Sequence, residues 1–177
     1  CLDHTFKNKM SSCLVNPRAC HETELNYRSS AAPRKVAIVG AGPAGLSTAV
    51  VLAQCGHKVD LFDAGSEIGG QLNMAKQVPG KEEFHDMIAY YRRQLELHKI
   101  NVELNKKVSG EDLVNAGYDD VVIATGVLPR DPKIPGQDNP KVLSYIDVLR
   151  GKVPVGKRVA IVGAGGIGFD VAEYLVN

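Results

Sequence analysis

Three glycines with a defined spacing, Gly40, Gly42 and Gly45, are the residues whose types point most directly to a chemistry. The first permits a tight turn, the second lets the backbone approach a pyrophosphate with no side chain in the way, and the third lets a helix pack closely on a strand. Pro43 and Ala44 lie in the same turn. The pattern G-x-G-x-x-G is therefore a candidate cradle for the phosphates of a nucleotide.

The segments around this turn are those that such a cradle requires. Residues 35–39, KVAIV, form a short apolar run that is typical of a buried parallel strand. Residues 43–55 predict a helix, with Pro43 in its first turn and Gly56 just past its end. Residues 59–64, VDLFDA, predict a second strand, so the whole is a βαβ unit of an α/β protein.

Asp63 stands at the end of the second predicted strand, 18 residues beyond Gly45 (63 minus 45). A carboxylate in this place accepts hydrogen bonds from an adenosine ribose and would repel a 2′-phosphate. We therefore expect FAD, NAD or ADP at this first site, and not NADP. The alternatives are a glycine-rich turn without a nucleotide and a solvated aspartate; strand, helix and acid together favour the nucleotide.

The heptapeptide VAIVGAG occurs twice, at residues 36–42 and again at residues 159–165. The second copy continues the same glycine spacing, with Gly163, Gly165 and Gly168. Residues 157–162 predict a new buried strand, and a helix is expected to follow it. The acid or base that separates NAD from NADP is expected about 20 residues past the motif, beyond Asn177.

Two such motifs, 123 residues apart (163 minus 40), indicate two adenine-dinucleotide sites in one protein. A protein with two of these sites usually passes a hydride from one cofactor to the other. Because a flavin stays bound while a nicotinamide cofactor exchanges, FAD at the first site and NAD(P)H at the second form the natural pair.

Composition excludes several other classes of protein. The net charge of +1 over 177 residues argues against a nucleic-acid or anionic-membrane partner. The sequence contains no apolar run of about 18 residues, so we expect no membrane span. Four cysteines do not make a disulfide framework at this length, so we expect a reducing cytoplasm. The first residues lack both Met and an apolar signal segment, which predicts a chain that begins inside a longer protein.

Longer sequence segments around these motifs resemble those of a known family. GAGPAG with Asp63, EIGGQL, VVIATG and GAGGIG resemble the glutathione-reductase-like flavoproteins, in which a nicotinamide domain is inserted into an FAD domain. CLVNPRACHE, FDAGSEIGGQ, KQVPGKEEF, YYRRQLE, PKVLSYIDVL and GGIGFD resemble a narrower family of iron–sulfur flavoproteins. It comprises the bacterial NADPH-dependent 2,4-dienoyl-CoA reductases, 2-enoate reductase and trimethylamine dehydrogenase. The resemblance covers essentially the whole chain.

The resemblance implies two Rossmann-like dinucleotide-binding domains, both incomplete in this chain. Residues 1–30 would be the tail of an iron–sulfur segment and a linker, residues 31–130 the first part of an FAD domain, and residues 131–177 the start of an NAD(P)H domain. A flavin barrel that holds FMN and the acyl-CoA substrate would be the missing neighbour. No catalytic residue is expected within this chain.

The resemblance also implies an activity for the whole protein. Electrons would pass from NADPH through FAD and a 4Fe–4S cluster to FMN, and would reduce a double bond of a 2,4-dienoyl-CoA. The alternatives are a trimethylamine-dehydrogenase-like protein whose equivalent domain holds ADP, and a nucleotide-binding scaffold without redox work.

Further cofactor contacts follow from the resemblance: Gly70, Gln71, Val108, Ala124, Thr125 and Gly126. Gly70 and Gln71 match the loop that approaches the flavin side of FAD, and Val108 matches an adenine contact. The other three resemble the strand end that turns the chain beside FAD. An ordinary turn glycine at position 70 and a core valine at position 108 remain open alternatives.

Two cysteines are implied as metal ligands. Cys1 and Cys13 are separated by eleven residues and match the third and fourth ligands of the family's 4Fe–4S run. A cluster needs four thiolates, so we expect the first two ligands upstream of this chain. From spacing alone the pair would be plain thiols. Cys20 matches no ligand position, and we expect it to be a small buried residue.

Overall fold

The computed structural model describes residues 2–13 and 15–177. Along the described chain the elements are α1 (Leu2–Thr5), β1 (Lys35–Val39), α2 (Pro43–Gln54), β2 (Lys58–Phe62), α3 (Leu72–Ala75), α4 (Glu83–Leu97), β3 (Asn101–Glu103), α5 (Gly110–Asn115), β4 (Asp120–Ile123), α6 (Tyr145–Leu149) and α7 (Gly166–Val176).

Four parallel strands form one sheet in the order β3-β2-β1-β4. β1 lies in the middle and pairs Val39 with Phe62 on one side and with Ile123 on the other. This order reverses the direction of winding at β1, so a crevice opens at the carboxyl ends of β1 and its neighbours. The α/β fold and the first βαβ unit are confirmed.

One face of the sheet is covered by α2 and α4. Ile38 and Leu61 of the sheet are fully buried against Leu46 of α2. α4 contributes its apolar stripe, Phe84, Ile88, Tyr91 and Leu95, and all four side chains are buried. Spacings of three and four residues keep this stripe on one side of the helix.

The other face carries a smaller cluster. Ala37 and Phe62 pack there against Leu113 of α5. α5 begins with a reciprocal cap, in which the Ser109 hydroxyl accepts from the N–H of Asp112 and the Asp112 carboxylate accepts from the N–H of Ser109. Such a capping box satisfies two N–H groups at the helix start, and it fixes where the chain turns back towards β4.

The last two helices pack on α3 rather than on the sheet. Met74 and Val78 bury their side chains against Val148 and Leu149 of α6 and Val171 of α7. α7 is also joined to the residues just before α4, because Lys81 Nζ lies 2.6 Å from Asp170 Oδ2. The helix after the second glycine motif is thus attached to the segment that follows the first site.

The strand predicted at residues 157–162 is wrong: the structure has no strand there. Val159, Ile161 and Val162 are exposed to solvent, in contrast with the buried equivalents in β1. A strand needs a neighbour to hydrogen-bond its backbone. No described segment pairs with these residues, so the same apolar sequence remains irregular.

Cys20 is also not as expected, because it is exposed and not buried. It lies in an irregular turn with φ +65°, outside any helix or strand that could cover it. Within residues 2–13 and 15–177, no helix is long and apolar enough to cross a membrane.

Candidate functional site

The first glycine, Gly40, closes β1 into a turn that only a glycine fits. Its φ of +112° lies in the left-handed region, and a Cβ on it would overlap the carbonyl oxygen of Ala124. Its own N–H donates to the Phe62 carbonyl at 2.7 Å. The turn is therefore held between the ends of β2 and β4, at the crevice where the winding reverses.

Gly42 and Gly45 shape the start of α2. Gly42 is extended and caps the helix without a side chain, so the first N–H groups of α2 are not covered by a cap. A Cβ on Gly45 would overlap the Gly40 carbonyl oxygen and would lie 3.0 Å from its carbon. Pro43 and Ala44 form the first positions of the helix. The positive end of α2 thus faces the crevice, as phosphate binding requires.

Asp63 ties this turn to the loop that follows β2. Its Oδ2 accepts from the N–H of Ala41 and its Oδ1 from the N–H of Gly65, each at 2.6 Å. Each carboxylate oxygen can accept a second hydrogen bond. The residue predicted to hold a ribose therefore lies beside the glycine turn, and it also fixes the backbone of that turn.

The loop at Gly69 and Gly70 brings a second stretch of backbone close to the glycine turn. Gly69 donates its N–H to the Ala41 carbonyl at 2.8 Å. Gly70 has φ +55°, and a Cβ on it would lie 3.0 Å from the Cα of Gly42. Glycine is thus needed at position 70 for the close contact with the cradle as well as for the turn. The open alternative of an ordinary turn glycine does not explain that contact.

Gln71 and the segment after β4 complete the rim. The side-chain amide of Gln71 donates to the Val127 carbonyl at 3.0 Å. Ala124 donates its N–H to the Val39 carbonyl at 2.8 Å, and Thr125 and Gly126 follow on the exposed side. The three residues predicted to turn the chain beside a flavin therefore lie next to the glycine turn.

Two residues of the site have no place in the sequence predictions. Asn73 is buried, and its side-chain amide donates to the Ile68 carbonyl at 2.9 Å, which holds the loop before Gly70. Gly69, with φ +113°, would place a Cβ against that same amide. The paired glycines of EIGGQ and the asparagine four residues after Gly69 were the available signal.

Val108 packs in the smaller cluster, beside Val39 and Tyr118. It is half-buried, so part of its surface remains available at the carboxyl end of the sheet. The packing favours the core alternative for its side chain. Its backbone as an adenine contact stays a prediction.

The second glycine set repeats the first turn in its backbone. Gly163 has φ +123° and Gly165 caps α7 with φ −89° and ψ −178°, close to the values of +112°, −77° and −179° in the first copy. A Cβ on Gly168 would overlap the Gly163 carbonyl oxygen, as at Gly45. The turn and the helix start are present, although the strand before them is not.

The implied metal ligands do not form a site in the described chain. Cys1 lies outside the described residues. Cys13 is half-buried, and its Sγ accepts from the N–H of Asn16 at 3.4 Å. Among the residues that the structure describes, no group of three or more His, Cys, Asp or Glu side chains could hold a metal ion. A 4Fe–4S cluster needs four thiolates, so the two implied cysteines would be half of its ligand set.

The chain is similar to several characterised oxidoreductases. It is 37% identical over 181 residues to a metal reductase of Desulforamulus reducens, with 100% of this chain and 27% of that protein covered. It is 39% identical over 144 residues to a dimethylamine dehydrogenase of Hyphomicrobium sp., with 72% and 19% covered. It superposes on a 2-naphthoyl-CoA reductase complex with a TM-score of 0.93 and 33% identity, covering 99% of this chain and 27% of the other.

The chain thus spans only 19–27% of the length of these relatives. The family model of the pyridine nucleotide-disulphide oxidoreductases matches residues 34–177, which contain both glycine turns. The likeness in fold and the assembled first cradle agree with that match. The chain belongs to the pyridine nucleotide-disulphide oxidoreductase family.

Proposed function

We propose that this chain is the dinucleotide-binding part of an NADPH-dependent flavoprotein reductase. The observation that carries the proposal is the convergence of Gly40, Gly42, Asp63 and Gly70 at the carboxyl end of β1. Backbone N–H groups, a helix start and a carboxylate meet there, which is the combination that binds an adenine dinucleotide. The family match over residues 34–177 supports the same class of protein.

FAD is the occupant that we propose for the first site. The start of α2 and Gly42 would face its pyrophosphate, and Asp63 its adenosine ribose. Gly70 and Gln71 would lie on the flavin side, beside Thr125 and Gly126. Backbone N–H and C=O groups on both sides of the crevice would orient the flavin ring by hydrogen bonds.

NADPH is the occupant that we propose for the second turn, through Gly163, Gly165 and Gly168. The repeat of the backbone angles of the first copy supports a phosphate-binding role for this turn as well. NADPH held at this turn would be the hydride donor, and FAD at the first site would be the acceptor. The packing of α7 on α3 supports an arrangement in which the two turns lie on neighbouring bodies of one protein.

For the whole protein we propose that electrons leave FAD through a 4Fe–4S cluster, with Cys1 and Cys13 among its ligands, and reach FMN in a flavin barrel. The proposed substrate is a 2,4-dienoyl-CoA, and the proposed compartment is the cytoplasm. The likeness to a reductase whose structure holds 2-naphthoyl-CoA supports a CoA ester. The near-neutral net charge supports neither a nucleic acid nor a membrane as partner.

The cofactor content tests this proposal directly. The purified protein should absorb visible light with a flavin spectrum, heat should release FAD, and NADPH added without oxygen should bleach the flavin band. Oxidation of NADPH should then depend on added 2,4-dienoyl-CoA. Release of ADP with an intact fold, or a flavin that NADPH does not reduce, would contradict the proposal.

A dimethylamine-dehydrogenase-like function is the second candidate, and the 39% identity to that enzyme favours it. In that case the first site would hold ADP without redox work. The start of α2 and Asp63 would serve both occupants, because they face the part that FAD and ADP share. Only the flavin-side rim separates them: Gln71→Ala should weaken the retention of FAD and leave ADP unaffected.

A further inference from the structure

A cavity of about 660 Å³ lies beside the first cradle, between the loop after β2, α3, the end of α6 and the last turn of α7. This volume falls within the usual range for small-molecule sites. The cavity shares Asp63, Gly65, Gly70 and Asn73 with the first site, whereas its cations, Glu67 and Tyr174 have no part in the proposed FAD and NADPH sites.

Three cations line this cavity: Lys76, Arg150 and Lys152. In the described part of the chain, neither Arg150 nor Lys152 forms an ion pair. Lys76 is held by a neutral partner, because its Nζ donates to Asn73 Oδ1 at 2.8 Å. All three positive charges therefore remain available to an anion.

The backbone that carries two of these cations is fixed. α6 ends at Leu149, and Gly151 follows in the left-handed conformation with φ +63°. Gly151 donates its N–H to the Val148 carbonyl at 3.0 Å, and Lys152 donates its N–H to the Asp147 carbonyl at 2.9 Å. This pair of bonds is a Schellman motif, which satisfies the last carbonyls of the helix and sets the direction of the side chains on either side of the glycine.

Two other lining residues, Glu67 and Tyr174, offer different chemistry. Glu67 lines the cavity with an exposed carboxylate that has no cationic partner among the described residues. Tyr174 contributes a half-buried aromatic ring from α7. A carboxylate accepts hydrogen bonds from sugar hydroxyls, and an aromatic ring provides a stacking face for a base.

We propose that this cavity binds a ribonucleoside phosphate, with its phosphate at Lys76, Arg150 and Lys152, its ribose hydroxyls at Glu67 and its base on Tyr174. This is a second ligand beside the dinucleotide of the first cradle. The same chemistry is present in a free mononucleotide and in the phosphorylated adenosine end of coenzyme A.

Calorimetry on the flavin-loaded protein tests the proposal, because bound flavin prevents AMP from entering the first cradle. AMP should bind with a single saturable site, more tightly than adenosine or inorganic phosphate. Removing one charge-assisted contact, by Arg150→Gln or Lys152→Gln, should raise the Kd about tenfold, and Lys152→Arg should retain binding. The matched control is Lys141→Gln, which changes an exposed cation outside the cavity and should leave the Kd unchanged.

Three outcomes would overturn the proposal. Failure of AMP to bind the flavin-loaded wild type would show that the cavity holds no second ligand. Loss of FAD from Arg150→Gln would assign that cation to the first cradle instead. Equal affinity for inorganic phosphate and AMP would rule out the ribonucleoside. Flavin content is measured on the same samples. A sample that holds flavin but does not bind AMP contradicts this proposal alone, whereas a sample without flavin contradicts the proposed function. If coenzyme A displaces AMP and binds more tightly, the result would support the site and would identify the adenosine end of coenzyme A as its ligand.

Discussion

Gly45→Ala tests whether the close approach of α2 to the first turn is a steric requirement. Gly45 is in a helix with ordinary backbone angles, so a gain of about 1 kcal/mol in helix propensity would be expected from alanine alone. Against that, its Cβ would overlap the Gly40 carbonyl oxygen and approach Ile38 Cγ2 at 3.4 Å. Overpacking in a closely packed core costs about 1–3 kcal/mol, and more where backbone must move.

Here the backbone cannot move easily, because Gly40 is held between the Phe62 carbonyl and Ala124. We therefore expect Gly45→Ala to lower the free energy of unfolding by about 2 kcal/mol, which corresponds to about 4–8 °C in Tm for a chain of this length. Gly110→Ala is the matched control, since that glycine begins α5 with nothing near its Cβ position. It should be neutral or slightly stabilising.

Gly168→Ala provides the sharper comparison, because its Cβ would overlap the Gly163 carbonyl oxygen in the same way. The difference is that nothing lies within 4 Å of the Cβ position of Gly163, and the segment before it is exposed. That turn can shift, so the loss should be smaller than at Gly45. Urea unfolding followed by circular dichroism measures all three variants. If Gly45→Ala is as stable as Gly110→Ala, the steric reasoning is wrong.

Three further predictions follow from single contacts. Asp63→Asn replaces one acceptor oxygen by an NH2 group, so the side chain can accept from the N–H of Ala41 or of Gly65 but not from both. Flavin retention should weaken by about tenfold, measured by fluorescence of released FAD. Burial and the hydrogen bond to Asp60 raise the pKa of Tyr118 from 10.0 to about 12, so the folded state holds this proton more tightly than the unfolded state. The free energy of unfolding should therefore fall as the pH rises from about 10 to about 12. Urea titrations should show a smaller fall in Tyr118→Phe. Asp170→Asn removes a partly exposed ion pair with Lys81, so the free energy of unfolding should fall by about 1 kcal/mol at most. Limited proteolysis near residues 157–165 should become faster as α7 detaches. An unchanged cleavage rate would argue against this ion pair as an attachment of α7.

The parts of the fold that could be predicted from sequence are those whose signal is local. The run at residues 35–39, the helix from Pro43 and the stripe of α4 each carry their periodicity within one element. α3 and α5 carry no such signal, because helices of four and six residues are too short to show a period. For α5 the pair Ser109 and Asp112 was a usable signal, since a hydroxyl three residues before a carboxylate is typical of a helix start.

The candidate site also has a part that the sequence could predict and a part that it could not. The spacing of the three glycines and the distance to Asp63 predicted the cradle, because each residue has a defined task in a strand–turn–helix. The approach of Gly70 to Gly42 depends on how a loop 28 residues later (70 minus 42) folds over the turn. No spacing rule contains that information. The same is true of the cavity, whose cations come from segments before and after the exposed stretch at residues 127–144.

The repeated heptapeptide separates what a sequence determines alone from what it determines in context. In the first copy VAIV is a buried central strand, with β2 and β4 hydrogen-bonded to its two sides. In the second copy the same four residues are exposed and irregular, yet the following glycines adopt nearly the same angles and α7 forms. The turn and the helix start depend on glycine conformation and on bonds within a few residues, so they persist. The strand depends on backbone partners elsewhere in the sheet, and its burial depends on helices packed over it. A peptide pairing with residues 159–162 should therefore be sufficient to convert this segment to a strand, without any change in the turn that follows.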